Sequence, residues 1–197
     1  MRFPACELRD NAHMAEESLK GRLLIASPKI VDPNFRRTVV FMTEHAEEGA
    51  MGLILNRAAE TTVGEAVPDL AWVTDPDAVV YVGGPVSATA VIVLAEFEDP
   101  GLAALLVEHD LGFVPADVED TEAFSAGLRR ARVFAGHAGW GAGQLEAELE
   151  DDSWIVEPAA RDDVFTDRPD ELWSEVLRRK GREYALLATM PMDPSLN

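Results

Sequence analysis

The sequence predicts an α+β fold in which strands and helices are mixed along the chain. Short β-branched and aromatic runs predict strands, and apolar residues at helical spacing predict a helix near the C-terminus. These signals do not alternate in the strict rhythm of a βαβ protein, so a doubly wound parallel sheet is not expected. No repeat or low-complexity linker divides the chain. We therefore expect one domain over 18–197, preceded by a flexible extension at 1–17.

The first strong strand signals lie between residues 23 and 55. Residues 23–26 form an apolar run, and prolines then interrupt regular structure at Pro28 and Pro33. Residues 38–43 are β-branched and aromatic, a composition typical of a buried strand. A polar turn separates them from a second apolar run at 52–55. This pattern predicts a β-hairpin.

Further elements are predicted along the rest of the chain. A short helix is expected at 63–70, strands at 78–82, 90–94 and 153–156, and a helix at 119–130. The C-terminal helix has a proline near its first turn and a glycine after its last. It carries one apolar stripe, formed by Leu172, Trp173, Val176 and Leu177.

A glycine-rich segment at 136–143 is the most informative stretch of the chain. An apolar run at 132–135 enters it and a helix-forming segment follows at 144–150. This order predicts a strand, a loop and a helix, an arrangement in which exposed backbone N–H groups could gather around an anion. It is also the pattern of a tight structural corner. Because the glycine spacing misses the nucleotide fingerprints and the following helix is acidic, the corner is favoured.

Composition restricts the compartment and the class of protein. Hydrophobic residues make up 47% of the 197 residues, and no apolar run approaches the roughly 20 residues that span a bilayer. The N-terminus lacks the pattern of a secretory signal. The single cysteine, Cys6, cannot form an internal disulfide. These features predict a cytoplasmic protein.

The charge of the chain argues against direct DNA binding. There are 17 basic and 36 acidic residues, which give a formal net charge of −19 and a pI near 4.4. Such a surface repels phosphate backbones, whereas DNA binding needs several Lys or Arg contacts to phosphates. The basic residues form small groups at 36–37, 129–132 and 178–182. The last group closes a predicted helix, where cations complement the helix dipole without any ligand.

A series of motifs resembles the bacterial AlgH/YqgE family from about Leu19 to the last residue. The motifs are G-R-L-L-I-A-S-P at 21–28, D-P-N-F-R-R-T-V-V at 32–40, E-H at 44–45, G-A-M-G-L-I-L-N-R at 49–57, G-G-P-V at 83–86, the segment 136–146, Trp154, Leu172-Trp173 and P-S-L-N at 194–197. The resemblance implies a bifurcated mixed sheet with a small barrel-like part, surrounded by helices. The family is labelled as transcriptional regulators, after a role in alginate synthesis.

Ten residues of these motifs are candidates for binding a ligand. His45 and His137 would form an acid–base pair or metal site if they met in space, although no spacing typical of a metal site is present. Asn56 and Arg57 could hold a carboxylate or phosphate. The remaining candidates, each with a structural alternative, are Gly83, Gly84, Pro85, Gly139, Trp140 and Gly141. A glycine-flanked tryptophan more often fills the edge of a core than stacks on a ligand.

No nucleophile motif is present, since G-x-S-x-G is absent and Cys6 lies outside the family motifs. We therefore expect a non-catalytic regulatory or adaptor protein, without cofactor or metal, that contacts a protein partner or a small ligand. The alternative is a nucleotide- or metabolite-binding protein or hydrolase that uses 136–143 with His45 and His137. A DNA-binding regulator is the third class, which the charge disfavours.

Overall fold

The computed structural model describes residues 18–189, in which the chain forms ten strands and six α-helices. The strands are β1 (Arg22–Ala26), β2 (Val39–Ala46), β3 (Gly49–Ile54), β4 (Ala58–Thr62), β5 (Val79–Val82), β6 (Val86–Phe97), β7 (Leu105–Glu108), β8 (Leu111–Phe113), β9 (Leu128–Gly141) and β10 (Trp154–Pro158). The helices are α1 (Val63–Ala66), α2 (Thr121–Ser125), α3 (Gln144–Glu150), α4 (Arg161–Val164), α5 (Pro169–Lys180) and α6 (Arg182–Leu187). The extension expected at 1–17, with Cys6, and the closing motif at 194–197 lie outside the described residues.

Several local predictions are confirmed because the residues that carry them act locally. The β2–β3 hairpin forms with Phe41 opposite Leu53. The short helix α1 begins with a capping box, in which Thr62 and Glu65 each accept a hydrogen bond from the other's backbone N–H. Helix α5 starts at Pro169 and stops before Gly181, and its predicted apolar stripe is buried.

The strands form one large sheet that branches at β9. Its main path runs β10-β1-β2-β3-β9-β6-β8-β7, and β5 joins β9 from the side together with β4. The first part of β9 lies between β6 and β5, and its last part pairs with β3. The pairings are antiparallel except for that of β5 with β9. The fold is therefore α+β with a bifurcated mixed sheet, as expected.

The sheet bends around a central apolar cluster but does not close into a barrel. The central cluster includes Phe41, Leu53, Leu94, Phe134 and Trp173, so both branches of the sheet and α5 contribute to it. A second cluster lies on the outer face beside α3, and a third beside α1. The main path ends at β10 and β7, which do not pair with each other. The barrel-like part that the resemblance implied is thus an open, curved sheet.

Two predicted elements are corrected by the structure. The glycine-rich segment is not a loop: β9 continues through 136–141, and only residues 142–143 turn before α3. The helix expected at 119–130 is confined to α2, and Leu128 already belongs to β9. Both errors have one cause, since pairing with distant strands overrides local propensity in this region.

Candidate functional site

The glycines at the branch point of the sheet allow two backbones to cross. Gly83 donates its N–H to Ala135 O at 2.9 Å and accepts from Ile54 N at 2.9 Å, so it joins β3 to β9. A Cβ at Gly83 would overlap Gly136 O, and one at Gly84, whose φ is +153°, would overlap the backbone of His137. Pro85 follows at the surface. The glycines of this motif are explained by backbone packing, without a ligand.

Trp140 is packed inside the protein rather than presented to solvent. Only 6% of the residue is exposed, and its ring lies 5.9 Å from that of Trp154 and 6.3 Å from that of Phe35. Both indole N–H groups donate to the same Oε2 of Glu148, at 2.9 and 2.7 Å. The acidic helix α3 therefore supplies an acceptor for two tryptophans. The neighbouring Gly141 N–H donates to Gln144 Oε1 at 3.1 Å, so it is also occupied.

His45 has a partner at each ring nitrogen. Leu19 N–H donates to Nδ1 at 3.0 Å, so the proton of the neutral ring is on Nε2, which lies 2.9 Å from Glu146 Oε1. Burial raises the pKa of Glu146, but hydrogen bonds from its own backbone N–H and from His45 outweigh burial and keep that pKa below the ordinary value. His45 therefore ties the start of β1 to α3.

The two histidines do not form the pair that the sequence allowed. His45 lies opposite Ala50, and Ala50 lies opposite Trp140, so these three side chains share one face of the sheet. His137 lies three residues before Trp140 in β9 and points to the other face. The strand register therefore keeps His45 and His137 on different faces, so they do not share one acid–base or metal site. Within residues 18–189, no group of three or more His, Cys, Asp or Glu side chains could hold a metal ion.

Asn56 and Arg57 hold the loop that precedes β2. The Asn56 side chain is buried; its Oδ1 accepts from Val39 N at 2.9 Å and its Nδ2 donates to Arg37 O at 2.8 Å. Arg57 Nη2 donates to Arg36 O. Burial, and secondarily the charge of Arg36, lower the pKa of Arg57. Both polar atoms of the Asn56 amide are therefore used in hydrogen bonds to the backbone, and one Nη of Arg57 is used in the same way.

His137 and Gly139 are the candidates that remain near an open surface. Val86 lies opposite His137, and Met51 lies opposite Gly139. His137 Nδ1 is buried and has no hydrogen-bond partner among the described residues. Gly139 leaves room for the His137 ring, whose Nε2 would be 3.8 Å from a Cβ at that position. The Met51 side of this strand pair borders a groove.

This apolar groove, of about 620 Å³, runs between β6, the segment after β8 and the segment after α1. Val91, of which 43% is exposed, belongs to its floor. Trp72, which packs edge-on against Phe124 at 5.8 Å, belongs to one wall. Other described lining residues include Met51, Leu70, Phe113, Pro115, Ala116 and Val118.

Sequence reasoning missed the groove because its residues come from four distant segments. Of the lining residues only Met51 belongs to one of the motifs, and strand pairing brings Met51 next to β9 and β6 next to Phe113 only in the folded chain. One usable signal was present. Apolar residues alternate with turn-forming ones in Val114-Pro115-Ala116-Asp117-Val118, outside any predicted helix or strand. Loops usually run over the surface, so apolar side chains in such a segment indicate a cleft or an interaction surface.

The open, bifurcated sheet and its surrounding helices define an α+β protein that carries an apolar groove. A family model described as AlgH-like matches residues 23–185. The chain belongs to this AlgH-like family.

The relatives that match cover nearly the whole chain. A UPF0301 protein of Thermobifida fusca is 42% identical over 203 residues, covering 94% of this chain and 99% of the relative. Another from Streptomyces coelicolor is 42% identical over 186 residues, covering 91% and 96%.

Two solved structures have the same fold. The crystal structure of protein DIP2367 from Corynebacterium diphtheriae has a TM-score of 0.79 at 29% identity, covering 89% of this chain and 93% of that one. The solution structure of AlgH from Pseudomonas aeruginosa, also UPF0301, has a TM-score of 0.66 at 31% identity, covering 98% and 100%.

Proposed function

We propose that this chain is a non-catalytic regulatory or adaptor protein that binds a protein partner in the apolar groove. The observation that carries the proposal is the chemistry of the lining. Among the described residues that form the groove, only Asp69 is ionisable. General acid–base and nucleophilic catalysis both need a second positioned group, so this surface is suited to binding rather than to reaction.

The size and exposure of the groove support the same proposal. About 620 Å³ is within the range of functional pockets. Val91, which lines the groove, is 43% exposed, and Val82 and Val86, outside its lining, are also exposed to 39% or more. Exposed apolar side chains grouped in this way are typical of interaction surfaces. We place this role in the cytoplasm. Within 18–189, no helix is long and apolar enough to cross a membrane.

The enzymatic alternative has weaker support. It needed a loop at 136–143 and two cooperating histidines, whereas this segment is mostly strand and the histidines point to opposite faces. Helix α3 has only seven residues, and the Gly141 N–H before it is already used by Gln144. The anion cradle considered from the sequence therefore has little geometric basis.

The test is site-specific photo-crosslinking in living cells. A photoreactive phenylalanine analogue replaces Val91 in one variant and Val31 in a matched control, since Val31 is an exposed apolar residue that does not line the groove. We expect a discrete protein adduct from position 91 but not from position 31. Adding Ala116→Trp, which fills the groove, should abolish that adduct. Equal adducts from both positions, none from either, or an adduct that survives Ala116→Trp would contradict the proposal.

A further inference from the structure

Acidic residues stand in or beside the segments that line the groove. Asp69 is a lining residue, next to Leu70 in the chain. Asp117, Glu119 and Asp120 do not line the groove, but they lie between the lining residues Ala116 and Thr121 in the chain. We call this set the acidic rim: Asp69, Asp117, Glu119 and Asp120, all of them exposed.

The carboxylates of the acidic rim have no cationic partner within the described residues. No ion pair involves any of the four, and only Asp120 has a structural task, accepting from Ala123 N at 3.0 Å to cap α2. Some acidic side chains of the described residues do have such a partner: Asp163 contacts Arg179 at 2.7 Å, and Glu157 contacts Lys180 at 2.6 Å. The negative potential of the rim is therefore not cancelled locally.

We propose that the groove binds a segment of the partner protein that combines apolar side chains with lysine or arginine. This inference rests on the proposed function and specifies the chemistry of the partner. The apolar lining around Val91 accepts the apolar side chains, while the carboxylates of the acidic rim accept the cations. Trp72 adds an aromatic face that a guanidinium can contact.

The net negative charge of the chain also favours a basic segment over the other possible occupants of the groove. A second copy of this chain would bring another net charge of −19 to the acidic rim. A nucleotide would bring phosphates to a surface without a described lysine or arginine in its lining. Both would be repelled over about a Debye length, ~8 Å at physiological salt. A basic segment is attracted over the same distance, which accelerates its association.

Two synthetic peptides test the inference with the full-length protein. They share the same apolar residues, and their intervening positions are all lysine in one and all glutamate in the other. Binding is measured by fluorescence anisotropy at about 50 and about 300 mM NaCl. We expect only the lysine peptide to bind, and to bind more weakly at the higher salt concentration. Ala116→Trp should abolish its binding.

Matched charge variants identify the carboxylates responsible. The double variant D117N/E119Q should weaken binding of the lysine peptide about tenfold, as expected from two lost ion pairs. The control E47Q/E48Q removes the same charge from exposed residues in the β2–β3 turn and should leave binding within about twofold. Equal weakening by both variants would show a general charge effect and overturn the inference.

The outcomes separate this inference from the proposed function. Binding of the glutamate peptide, or of neither peptide, overturns the basic-segment inference. If the position-91 adduct still forms in cells, the proposed function remains and only the partner chemistry is wrong. If the adduct is also absent, both fail.

Discussion

Glu96 carries a buried negative charge that three arginines surround. Its side chain is 8% exposed; Arg130 Nε donates to it at 2.8 Å, Arg161 contacts its other oxygen, and Arg129 lies 3.6 Å away. Burial raises the pKa of Glu96, but the bonds and charges of Arg130 and Arg161 outweigh burial and hold the pKa below the ordinary value. These residues connect β6, β9 and α4, so the ionised carboxylate contributes to stability.

Replacing Glu96 by glutamine should destabilise the fold. The neutral amide loses charge-assisted hydrogen bonds worth about 2 kcal/mol, and the melting temperature should fall by roughly 4–8 °C. Glu98→Gln is the matched control, because Glu98 contacts Arg129 from a side chain that is 57% exposed and should matter little. Calorimetry at neutral pH measures both. Equal melting temperatures for the two variants would contradict the structural role of Glu96.

The stabilising effect of Glu96, measured as the difference in unfolding free energy between the parent protein and Glu96→Gln, should depend on pH. The pKa of Glu96 is lower in the folded than in the unfolded protein, so its contribution is fully present above the unfolded value, about 4.3. The contribution is lost as the pH falls through the folded value. The difference in unfolding free energy between the parent and Glu96→Gln should therefore be constant from neutral pH down to about pH 5 and shrink below about pH 4. Urea titrations would contradict this if the difference grew in acid.

At the scale of single residues, sequence could identify candidates but not their partners. Asn56 is a polar residue in a strong motif, and from sequence alone a ligand and a backbone acceptor are equally suitable partners for its amide. Its actual partners, Val39 N and Arg37 O, lie 17 and 19 residues away and are known only once β2 and β3 pair. Likewise, the sequence does not reveal that Glu148 accepts the hydrogen bond of the Trp140 indole.

At the scale of elements, β9 shows how a glycine-rich strand resembles a loop. Its glycines have low strand propensity, which favoured the loop interpretation. The competing signal was the alternation of Ala138 and Trp140, which are buried, with His137, Gly139 and Gly141, which are more exposed. At Gly136 the neighbouring backbone approaches so closely that a Cβ would lie 2.6 Å from Gly84 O, whereas a Cβ at Gly139 or Gly141 would fit. Of these three glycines only Gly136 is required by packing, and none of them marks a turn.

Two glycine-to-alanine variants separate backbone strain from steric overlap. Gly136 and Gly143 have nearly the same φ, +69° and +72°, but a Cβ at Gly136 would lie 2.6 Å from Gly84 O, whereas one at Gly143 has nothing within 4 Å. Gly143→Ala should cost only the strain of a left-handed alanine, about 1 kcal/mol. Gly136→Ala should cost about 3 kcal/mol or more, because the backbone at Gly84 and Val86 must also move away from β9. Similar losses in chemical denaturation would show that the crossing is not tightly packed.

At the scale of the whole molecule, the branched sheet depends on contacts that local patterns do not encode. The β2–β3 hairpin is local and was predictable, as was α5. In contrast, β9 pairs with β3, β5 and β6, which lie up to about 90 residues earlier in the chain. Only the resemblance to a known family implied this branching. Gly84 and Gly136, near the branch point of the sheet, adopt positive φ, which sequence alone does not reveal.

The charge distribution of the whole molecule leads to a prediction about DNA. The sequence has three small groups of basic residues, at 36–37, 129–132 and 178–182. Four of their members lie within 4 Å of a carboxylate: Arg129, Arg130, Arg179 and Lys180. Because a protein must release the counterions of several phosphates to bind DNA, cations already neutralised by acidic neighbours contribute little.

We therefore expect no mobility shift of duplex DNA by the purified protein at about 50 mM NaCl, where phosphate contacts are strongest. A basic DNA-binding protein on the same gel shows that the duplex is competent. A complex that weakens steeply between about 50 and about 200 mM NaCl would contradict this expectation and restore the third class of function. Without a shift, the proposed regulatory role would depend on a protein partner rather than on direct contact with DNA.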